Sequence, residues 1–563
     1  MTHEPPIQDR SSAELIDQLL RRPMNRRQVL KRAGAAGLAL NGITVLAAAC
    51  GGSSANTGGG AGSSAGTAAK QLVIASGATP VTLDPMVSLD GQSPLLWRCA
   101  YEPLLRFKGA TIDVEPHLAQ SYEYDTKANR AVFHLRPGVT FTDGTGLDAK
   151  AVKLNIERQM ALQQGIAYAL TPITKVETPD DQTVVVHLSG FSDGLLYGFA
   201  SLYGLYMISP KAITDNKGGD WAQAWLSKNM VGTGPYKLEN YELNQRASFT
   251  KNDTYWGGWE GTHFESVLVE YVTDPSTERL QLERGDSHIA VYLPDDVIYA
   301  MRNKQDVTVS DDPSFNVYYL GLPCRTGPTA DKRVRQAISY GFDYGTWIND
   351  VLNGTAMQAR GPLPDIFPGY DSTVPQYTQD VDKARTMLAD AGFSGGGFSL
   401  KYIYETGYYW KRPLGELFQA NMKDLGIDVT IQELSPSTWV GTLSNKDKAS
   451  EAYGVVWWPS LATPFDFLWA LFATSAQGTA GYNFTYYSNT TFDKLLNQAT
   501  AEPDEAKRMA LYNQCQKLVV DDAPYLFLSD VRYLVPMSPK LTGFEFNGMY
   551  INSFDPYALG VNA

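Results

Sequence analysis

The chain has 563 residues, with 47 Lys+Arg against 60 Asp+Glu, and its formal net charge is −13. This negative charge argues against nucleic-acid binding because it repels phosphate, and the length predicts about three domains or a few large lobes. The 4 cysteines are too few for a disulfide scaffold, whereas the 12% aromatic content suits a cavity lined with flat side chains, although core packing uses such residues too.

The first interpretable segment is 25–31, which contains the adjacent Arg26 and Arg27. Residues 33–49, which follow, are uncharged and rich in glycine and alanine, and they are fewer than the about 20 strongly apolar residues that a membrane span needs. The run resembles a twin-arginine export signal, which implies export after folding. Asn25 and Val29 depart from the hydroxyl residue and the phenylalanine that are usual in that signal.

Small residues precede Cys50, and this run resembles a lipobox, in which a peptidase cuts before the cysteine and the thiol carries a diacylglycerol. Ala47 is a weaker choice than the usual branched aliphatic residue, and the alternative is an ordinary cleavage site with a chance cysteine. Residues 51–69 are almost wholly Gly, Ser, Ala and Thr, a composition typical of a flexible tether. We therefore expect a signal with an N-terminal extension over 1–49, a linker over 50–69, and a protein anchored by lipid to the outer face of the cytoplasmic membrane.

From Lys70 onward, strand-like and helix-like patterns alternate, which predicts mixed α/β lobes. The predicted strands are 71–75, 131–135, 183–188, 267–272 and 426–431. The predicted helices are 149–162, 275–284, 334–342, 381–391, 414–425, 491–500 and 505–520. No later segment has the length and apolar character of a membrane span. The cysteines after Cys50 allow at most one disulfide, and no CxxC pair is present.

The segment Gly190–Gly194 matches G-x-S-x-G after a predicted strand, which makes Ser192 a candidate nucleophile of an exported serine hydrolase. Only His263 and His288 follow it, and their spacing suits that fold poorly, so a turn with two glycines is the favoured interpretation. The histidines form no i, i+3 or i, i+4 pair, and no nucleotide-binding motif is present. We therefore expect no enzyme activity, no metal and no cofactor.

Eight blocks of turn and strand residues, in order from about residue 71 to 545, together carry a family resemblance. They resemble the extracellular solute-binding proteins of family 5, the peptide/nickel receptors of ABC importers. The blocks are Tyr101–Leu105, Val114–Ala119, Phe133–Gly144, Val231–Tyr236, Lys251–Trp256, Val334–Ala337, Ala384–Gly392 and Gly426–Val429.

This resemblance implies an α/β fold of the two-lobed periplasmic-binding-protein type II, with the ligand cleft between the lobes. Lobe I would comprise 70–317 and a return over 531–563, with an extra subdomain near 113–231. Lobe II would comprise 318–530, and the crossovers between the lobes would be 316–322 and 525–531. Closure of two lobes on a hinge wraps a ligand and removes water from it.

The resemblance also implies ligand contacts at a set of polar and aromatic positions: Asp90, Gly91, Tyr408, Trp410, Trp439, Trp457, Trp458 and Ser460. Relatives that bind oligopeptides carry an aspartate where this chain has Ser460, and it pairs with the free α-amino group of the peptide. Cys324, where relatives often have Asn, is a second departure. Asp466 is a candidate replacement for the missing carboxylate, and an uncharged ligand such as a saccharide would suit the aromatic side chains equally well.

The expected function is the substrate-binding subunit of an ABC importer, which captures a solute outside the cytoplasmic membrane and delivers it to a permease. ATP hydrolysis would belong to separate subunits, and the receptor itself is expected to be a monomer. An oligopeptide or dipeptide is the leading ligand class. An oligosaccharide, another small molecule or a metal chelate is the alternative within this class, and an exported hydrolase or a structural, chaperone-like surface protein is the alternative outside it.

Overall fold

The structure is a computed structural model, and it describes residues 70–562 apart from 448, 450, 479 and 480. The predicted export signal with Arg26 and Arg27, the predicted lipid-attachment residue Cys50 and the predicted linker lie outside the described residues.

The strands are numbered here in chain order. They are β1 (Gln71–Ser76), β2 (Leu105–Phe107), β3 (Val114–Pro116), β4 (Ala119–Asp125), β5 (Arg130–Leu135), β6 (Ile173–Glu177), β7 (Thr183–Leu188), β8 (Tyr236–Glu242), β9 (Arg246–Lys251), β10 (Ser266–Tyr271), β11 (Ile289–Val291), β12 (Thr308–Gly321), β13 (Ala356–Met357), β14 (Ser399–Glu405), β15 (Asp428–Leu434), β16 (Ala452–Trp457), β17 (Tyr525–Met537), β18 (Leu541–Thr542) and β19 (Gly560–Val561).

The α-helices are Pro94–Ala100, Ala149–Leu162, Leu195–Gly198, Pro210–Asp215, Gln223–Leu226, Pro275–Arg284, Asp295–Tyr299, Lys332–Gly341, Tyr344–Thr346, Val381–Asp390, Lys411–Asp424, Pro436–Leu443, Pro464–Phe472, Thr490–Ala501 and Glu505–Asp522. Short 3-10 helices cover Gly165–Leu170, Pro328–Ala330 and Thr474–Ala476, and Trp347–Val351 forms a π-helical turn.

Every strand and helix predicted from the sequence is confirmed, with ends displaced by three residues at most. Displacements of three residues occur at the end of β15, which extends to Leu434, and at the start of the helix Lys411–Asp424, which was predicted at Leu414. The helix begins before Pro413 because a proline in the first turn of a helix forfeits no hydrogen bond and can lie inside the helix.

One mixed sheet of 11 strands runs through the described chain in the order β15-β14-β16-β12-β17-β11-β1-β10-β9-β8, with β13 paired to β17. The long antiparallel strands β12 and β17 lie in the middle of this order. Thr308–Pro313 pairs with Arg532–Met537 on the side of β11, and Asn316–Gly321 pairs with Tyr525–Val531 on the side of β16. The register shifts between these two parts, so an irregularity of the kind that bends a strand separates the two halves of the sheet.

The predicted crossovers therefore lie in the two strands that connect the halves of the sheet. We use lobe I for 70–317 with 531–563 and lobe II for 318–530, and these exact boundaries stay a prediction. A separate antiparallel sheet, β4-β5-β7-β6, lies inside the predicted subdomain of lobe I.

The helix Ala149–Leu162 connects this subdomain to the segment that follows β1. Its N-cap Asp148 accepts a hydrogen bond from the backbone N–H of Ala151 at 2.8 Å, which satisfies one of the free donors of the first turn. Farther along the helix, Arg158 forms a bidentate ion pair with Asp84, and both side chains are fully buried. The subdomain is thus tied to the segment that follows β1.

In lobe II, a buried cluster packs the helices Lys332–Gly341 and Lys411–Asp424 against β14 through residues such as Ile338, Phe418 and Tyr402. Cys99, Cys324 and Cys515 are all free thiols. Among the described helices, none combines the length and the apolar character that crossing a membrane requires.

Candidate functional site

Asp90 holds in shape the loop between β1 and the helix Pro94–Ala100, which is the predicted lobe I wall of the cleft. Asp90 Oδ1 accepts hydrogen bonds from the backbone N–H groups of Gln92 at 2.9 Å and Ser93 at 2.7 Å. Its Oδ2 accepts from the hydroxyl groups of Ser88 at 2.7 Å and Ser93 at 2.8 Å. The half-buried carboxylate therefore places a negative charge at the wall while its own loop supplies its hydrogen bonds.

Gly91 lies at a place where the two lobes meet. A Cβ at this position would lie 2.9 Å from Asn552 Nδ2 and 3.7 Å from Trp458 Cζ2, and the hydroxyl of Tyr292 donates to the Gly91 carbonyl. Tyr292 itself adopts a left-handed backbone conformation with φ of 72°, which is rare for an aromatic residue and is often found at functional sites. A side chain at Gly91 would therefore crowd Asn552 of lobe I, whereas Trp458 of lobe II lies at ordinary contact distance.

The tryptophan doublet at the end of β16 forms part of the lobe II wall, and its two rings take different directions. Trp458 crosses to lobe I, where its Nε1–H donates to the hydroxyl of Tyr203 at 2.8 Å. Trp457 stays with lobe II and meets the ring of Tyr482 edge-on, with centroids 5.2 Å apart. The Nε1 of Trp457 is buried and has no hydrogen-bond partner among the described residues.

The other three predicted aromatic contacts differ in burial. Trp410 is 2% exposed and stacks on Tyr318 of β12 with centroids 4.1 Å apart, so its ring belongs to the lobe II core. Trp439 is also buried and packs edge-on against neighbouring aromatic rings. Tyr408 is only half-buried, and its pKa is raised to about 12 by burial, with smaller contributions from charges that include Glu405 and Asp90. Tyr408 is therefore the member of this group closest in character to a cleft residue.

Ser460 and Asp466 form a buried unit that also reaches lobe I. The backbone N–H of Ser460 donates to Asp466 Oδ2 at 2.8 Å, and the hydroxyl of Tyr168 in lobe I donates to Asp466 Oδ1 at 2.6 Å. Burial raises the pKa of Asp466 to about 6, and these hydrogen bonds oppose that rise. Both oxygens of Asp466 therefore already have partners in the protein.

The predicted G-x-S-x-G turn also meets lobe II, through its aspartate. Asp193 Oδ2 accepts hydrogen bonds from the hydroxyl groups of Thr463 at 2.7 Å and Tyr512 at 2.6 Å, and Arg508 Nε lies 3.9 Å away. Burial raises the pKa of Asp193, and these three groups oppose the rise. Asp193 of this turn therefore forms a direct contact between the lobes.

Ser192 lies next to Asp193, and its surroundings do not form a catalytic triad in the described part of the chain. Its backbone N–H donates to the hydroxyl of Tyr124 at 2.9 Å. Of the two later histidines, His263 Nδ1 contacts the carbonyl of Tyr557, and His288 Nδ1 accepts from the backbone N–H of Val73. Neither histidine contacts Ser192 in the described structure.

A third carboxylate repeats the pattern of Asp466 and Asp193. The hydroxyl of Tyr409 in lobe II donates to Asp295 in lobe I. Burial raises the pKa of Asp295 to about 6, and the bond from Tyr409 opposes that rise. Each of the three carboxylates thus accepts a tyrosine hydroxyl from the opposite lobe, so the lobes lie in a closed arrangement.

Beside the contacts of Asp193 and Asp466 lies a groove between the lobes with a cavity volume of about 840 Å³. The ring of Trp469 stacks on Tyr168 at 5.2 Å and on Phe465 at 5.9 Å, and these three rings line one side of the groove.

Sequence reasoning missed several residues that shape the walls: Tyr203, Tyr292, Asn552, Tyr482, Glu405 and Lys411. Tyr203 and Asn552 come from segments without a periodic pattern, and only the fold brings them to the cleft. The signal available for Glu405 and Lys411 was their place at the end of a strand and at the start of the next helix.

Comparisons with known proteins agree with this architecture. The family profile described as "Bacterial extracellular solute-binding proteins, family 5 Middle" matches residues 113–479. The probable D,D-dipeptide-binding periplasmic protein DdpA of Escherichia coli K12 is 33% identical over 492 residues, which cover 86% of this chain and 93% of the relative. The heme-binding protein A of Haemophilus influenzae is 25% identical over 90% of this chain and 96% of its own length.

Among solved structures, the periplasmic binding protein DppA of Helicobacter pylori, in complex with the peptide STSA, superposes with a TM-score of 0.78. It is 24% identical, and the match covers 87% of this chain and 98% of that chain. The likeness confirms the two-lobed α/β fold of the type II periplasmic binding proteins.

Proposed function

The chain belongs to the bacterial extracellular solute-binding proteins of family 5, and from this membership we propose that it is the substrate-binding subunit of an ABC importer. It captures a solute outside the cytoplasmic membrane by closing its two lobes around it. The closed form then presents the solute to a permease, and ATP hydrolysis takes place on separate subunits.

The observation that carries this proposal is the meeting of the two lobes at Gly91. Trp458 approaches Gly91 from lobe II and bonds to Tyr203 of lobe I, while Asp90 and Tyr408 lie on opposite walls. Opposed walls with flat aromatic faces and few free polar groups are typical of a small-molecule site. The same contacts link closure of the lobes to burial of whatever lies between them.

A short peptide is the ligand class that we propose. The relative with 33% identity is described as binding D,D-dipeptides, and the chain matches 93% of its length. The aromatic walls suit a ligand held partly through its backbone, since ring faces tolerate many side chains. An oligosaccharide remains the alternative that the same rings would accommodate.

Native mass spectrometry of the purified protein tests this function, because a tightly bound ligand stabilises the folded state and often stays bound through purification. A ladder of peptide masses released on denaturation is the expected result. A single non-peptide mass would replace the peptide assignment and keep the receptor. A protein that binds no solute in a subsequent thermal-shift screen and contacts no permease would contradict the function itself.

For location, we propose export through the twin-arginine pair Arg26–Arg27 and anchoring through a diacylglycerol on Cys50. Sequence pattern alone supports this part, together with the tether-like composition of residues 51–69. The proposed partners are a peptide or another solute, the permease and ATPase subunits, and the membrane, which the protein reaches through its lipid anchor. The receptor acts as a monomer in this proposal, without cofactor and without nucleic acid.

A further inference from the structure

A second cavity lies in lobe I, at the C-terminal end of the helix Pro94–Ala100. Its volume is about 170 Å³, and all the residues that line it belong to lobe I, so it is separate from the cleft between the lobes. Three of these residues are arginines: Arg98 of the helix, Arg106 of β2, and Arg136, which follows β5. Arg106 is exposed and pairs with Glu115 at 2.7 Å, so its charge is matched. We call this cavity the arginine pocket.

The charge of Arg98 is not matched by any acid. Its half-buried guanidinium lies over the ring of Tyr550, 4.2 Å from the centroid, and this cation–π contact is its main stabilising interaction. In the described part of the chain, no carboxylate pairs with it and no oxygen accepts a hydrogen bond from it. A guanidinium carries only donors, and one that is partly withdrawn from water gains from an acceptor. Arg98 therefore offers its N–H groups to a molecule that enters the pocket.

Arg136 is held in place and also keeps donors open. Its Nε–H donates to the carbonyl of His117 at 2.5 Å, and its guanidinium lies over the ring of Trp256, 4.7 Å from the centroid. Its two terminal nitrogens have no acceptor among the described residues. A guanidinium fixed in this way, with its terminal N–H groups free, suits an oxyanion, because the paired donors match two oxygens of a phosphate or a carboxylate.

The acids that line the pocket, Glu102 and Asp555, do not satisfy these arginines. Glu102 is buried, and its oxygens already have four side-chain partners: His117, Tyr255, Thr233 and Trp256. Asp555 accepts a hydrogen bond from the backbone N–H of Tyr557 at 3.1 Å and forms no ion pair with an arginine in the described structure. Two unmatched guanidinium groups thus share the pocket with one available carboxylate. Since a water molecule takes up about 30 Å³, the cavity holds a phosphate group with a few waters but not a peptide.

The arginine pocket lies near the place where the predicted linker joins the folded body. The carbonyl of Lys70 accepts a hydrogen bond from the backbone N–H of Glu265 at 2.7 Å. His263, two residues before Glu265, stacks on Tyr557 with centroids 4.3 Å apart, and Tyr557 lines the pocket. The proposed lipid-attachment residue Cys50 precedes Lys70 by only 20 residues. The anchor would therefore keep this part of lobe I close to the phospholipid headgroups.

We propose that the arginine pocket binds a phosphate group, whose oxygens accept hydrogen bonds from Arg98 and Arg136. The phosphate comes either from a membrane phospholipid or from the free inorganic ion, and the nearby attachment point at Lys70 favours the phospholipid. A headgroup held in the pocket fixes lobe I to the membrane at a second point besides the anchor and leaves lobe II free to move. This inference goes beyond the proposed function and does not depend on which solute the cleft binds.

Two binding measurements on the full chain distinguish the sources. One is calorimetric titration with inorganic phosphate, and the other is co-sedimentation with vesicles of phosphatidylglycerol and phosphatidylcholine. We expect saturable binding to the vesicles, and Arg98→Gln should weaken it by about tenfold because one charge-assisted contact is lost. Arg246→Gln is the matched control, since it removes the same charge from an exposed pair with Glu242 in lobe I and should bind like the wild type. Residues 1–49 are the same in every protein, so the difference between variants reports the pocket.

Arg136→Lys provides a second variant, which keeps the charge but loses the paired donors. A loss of vesicle binding in the variants supports the phospholipid, a loss of inorganic phosphate binding alone supports the free ion, and a loss in one variant only assigns the contact to that arginine. The inference is overturned if the wild type binds phosphate in neither form, or if both variants bind like the wild type in both measurements. Solute binding in the cleft should be the same in all four proteins, so this outcome leaves the receptor function intact.

Discussion

Glu278 shows how a single buried acid gives the fold a pH dependence. It lies in the helix Pro275–Arg284, is fully buried, and its Oε2 lies 3.1 Å from where a Cβ on Gly77 would be. Burial raises its pKa to about 9, and neither of its carboxyl oxygens has a hydrogen-bond partner among the described residues. The side chain is therefore a neutral acid at pH 7, directly behind the strand ends that lead to Tyr292.

An acid whose pKa is higher in the folded than in the unfolded protein stabilises the fold. This stabilisation is complete below the pKa of the unfolded protein and is lost as the pH rises through the pKa of the folded protein. Between pH 5 and pH 9, the unfolding free energy of the wild type should therefore fall relative to Glu278→Gln, by up to about 1.4 kcal/mol per pH unit. Urea unfolding of both proteins at pH 5, 7 and 9 measures this difference. Parallel pH profiles would contradict a neutral Glu278.

The pair of Asp84 and Arg158 gives a prediction about stability rather than pH. Both side chains are fully buried, and Arg158 also donates through Nε to the carbonyl of Trp221 at 2.8 Å. Because Asp84→Asn leaves a buried guanidinium without its counter-charge, we expect a loss of about 3 kcal/mol in unfolding free energy. Asp181→Asn is the control, since Asp181 pairs with Lys150 on the exposed surface. Similar effects of the two substitutions on denaturation would rule out a special role for the buried pair.

At the scale of elements, the turn Gly190–Gly194 acquires a role that its sequence pattern did not suggest. The motif predicted a nucleophile or a simple turn, and the structure shows Asp193 bonded to Thr463 and Tyr512 of lobe II. We expect Asp193→Ala to weaken ligand binding by about tenfold, because one charged hydrogen-bond acceptor contributes roughly 1.5–3 kcal/mol and part of this stabilises the closed form. Ligand titration combined with small-angle scattering of the liganded protein reports both effects.

Ser192→Ala is the control for the Asp193→Ala variant. It keeps the turn and its aspartate, so affinity and scattering should equal those of the wild type. Labelling of the wild type, but not of Ser192→Ala, by a serine-directed probe would instead favour the hydrolase.

The helices and strands were predictable because their apolar periodicity is local. The crossovers were predicted through the family resemblance alone, and their exact bounds stay a prediction. The walls of the cleft were harder, as Trp410 illustrates: its neighbours in sequence place it near the cleft, but its ring stacks on Tyr318, which lies far away in the chain. The left-handed backbone of Tyr292 leaves no trace in the sequence either, because the surrounding fold imposes it.

For the whole molecule, we expect the carboxylates between the lobes to make closure sensitive to acid. The pKa values of Asp466 and Asp295 are about 6 in the closed form, where burial outweighs the hydrogen bonds of Tyr168 and Tyr409, while Asp296 and Arg302 also act on Asp295 in opposite senses. Opening exposes both groups to water and returns their pKa values toward the ordinary range near 4. Closing therefore takes up protons when the pH lies between these values.

It follows that ligand affinity should rise as the pH falls from 7 toward 5, by at most about tenfold per pH unit for each proton taken up. Asp466→Asn combined with Asp295→Asn should flatten this dependence. Titrations with a ligand that carries no group ionising in this range measure it. An affinity that is constant or falls toward pH 5 would show that these carboxylates do not take up protons when the lobes close.

The pairing of β12 with β17 has a further consequence, for the order in which the protein takes shape during synthesis. Residues 532–537 supply the edge against which the first part of β12 pairs, and Met537 also pairs with Ile289 of β11. A nascent chain that has not yet emerged to this point has β1 and β8–β12 of the large sheet but not the strand that joins β11 to β12. The protein therefore completes this sheet only after residues 532–537 have left the ribosome, and until then chaperones can engage the unpaired edges of β11 and β12.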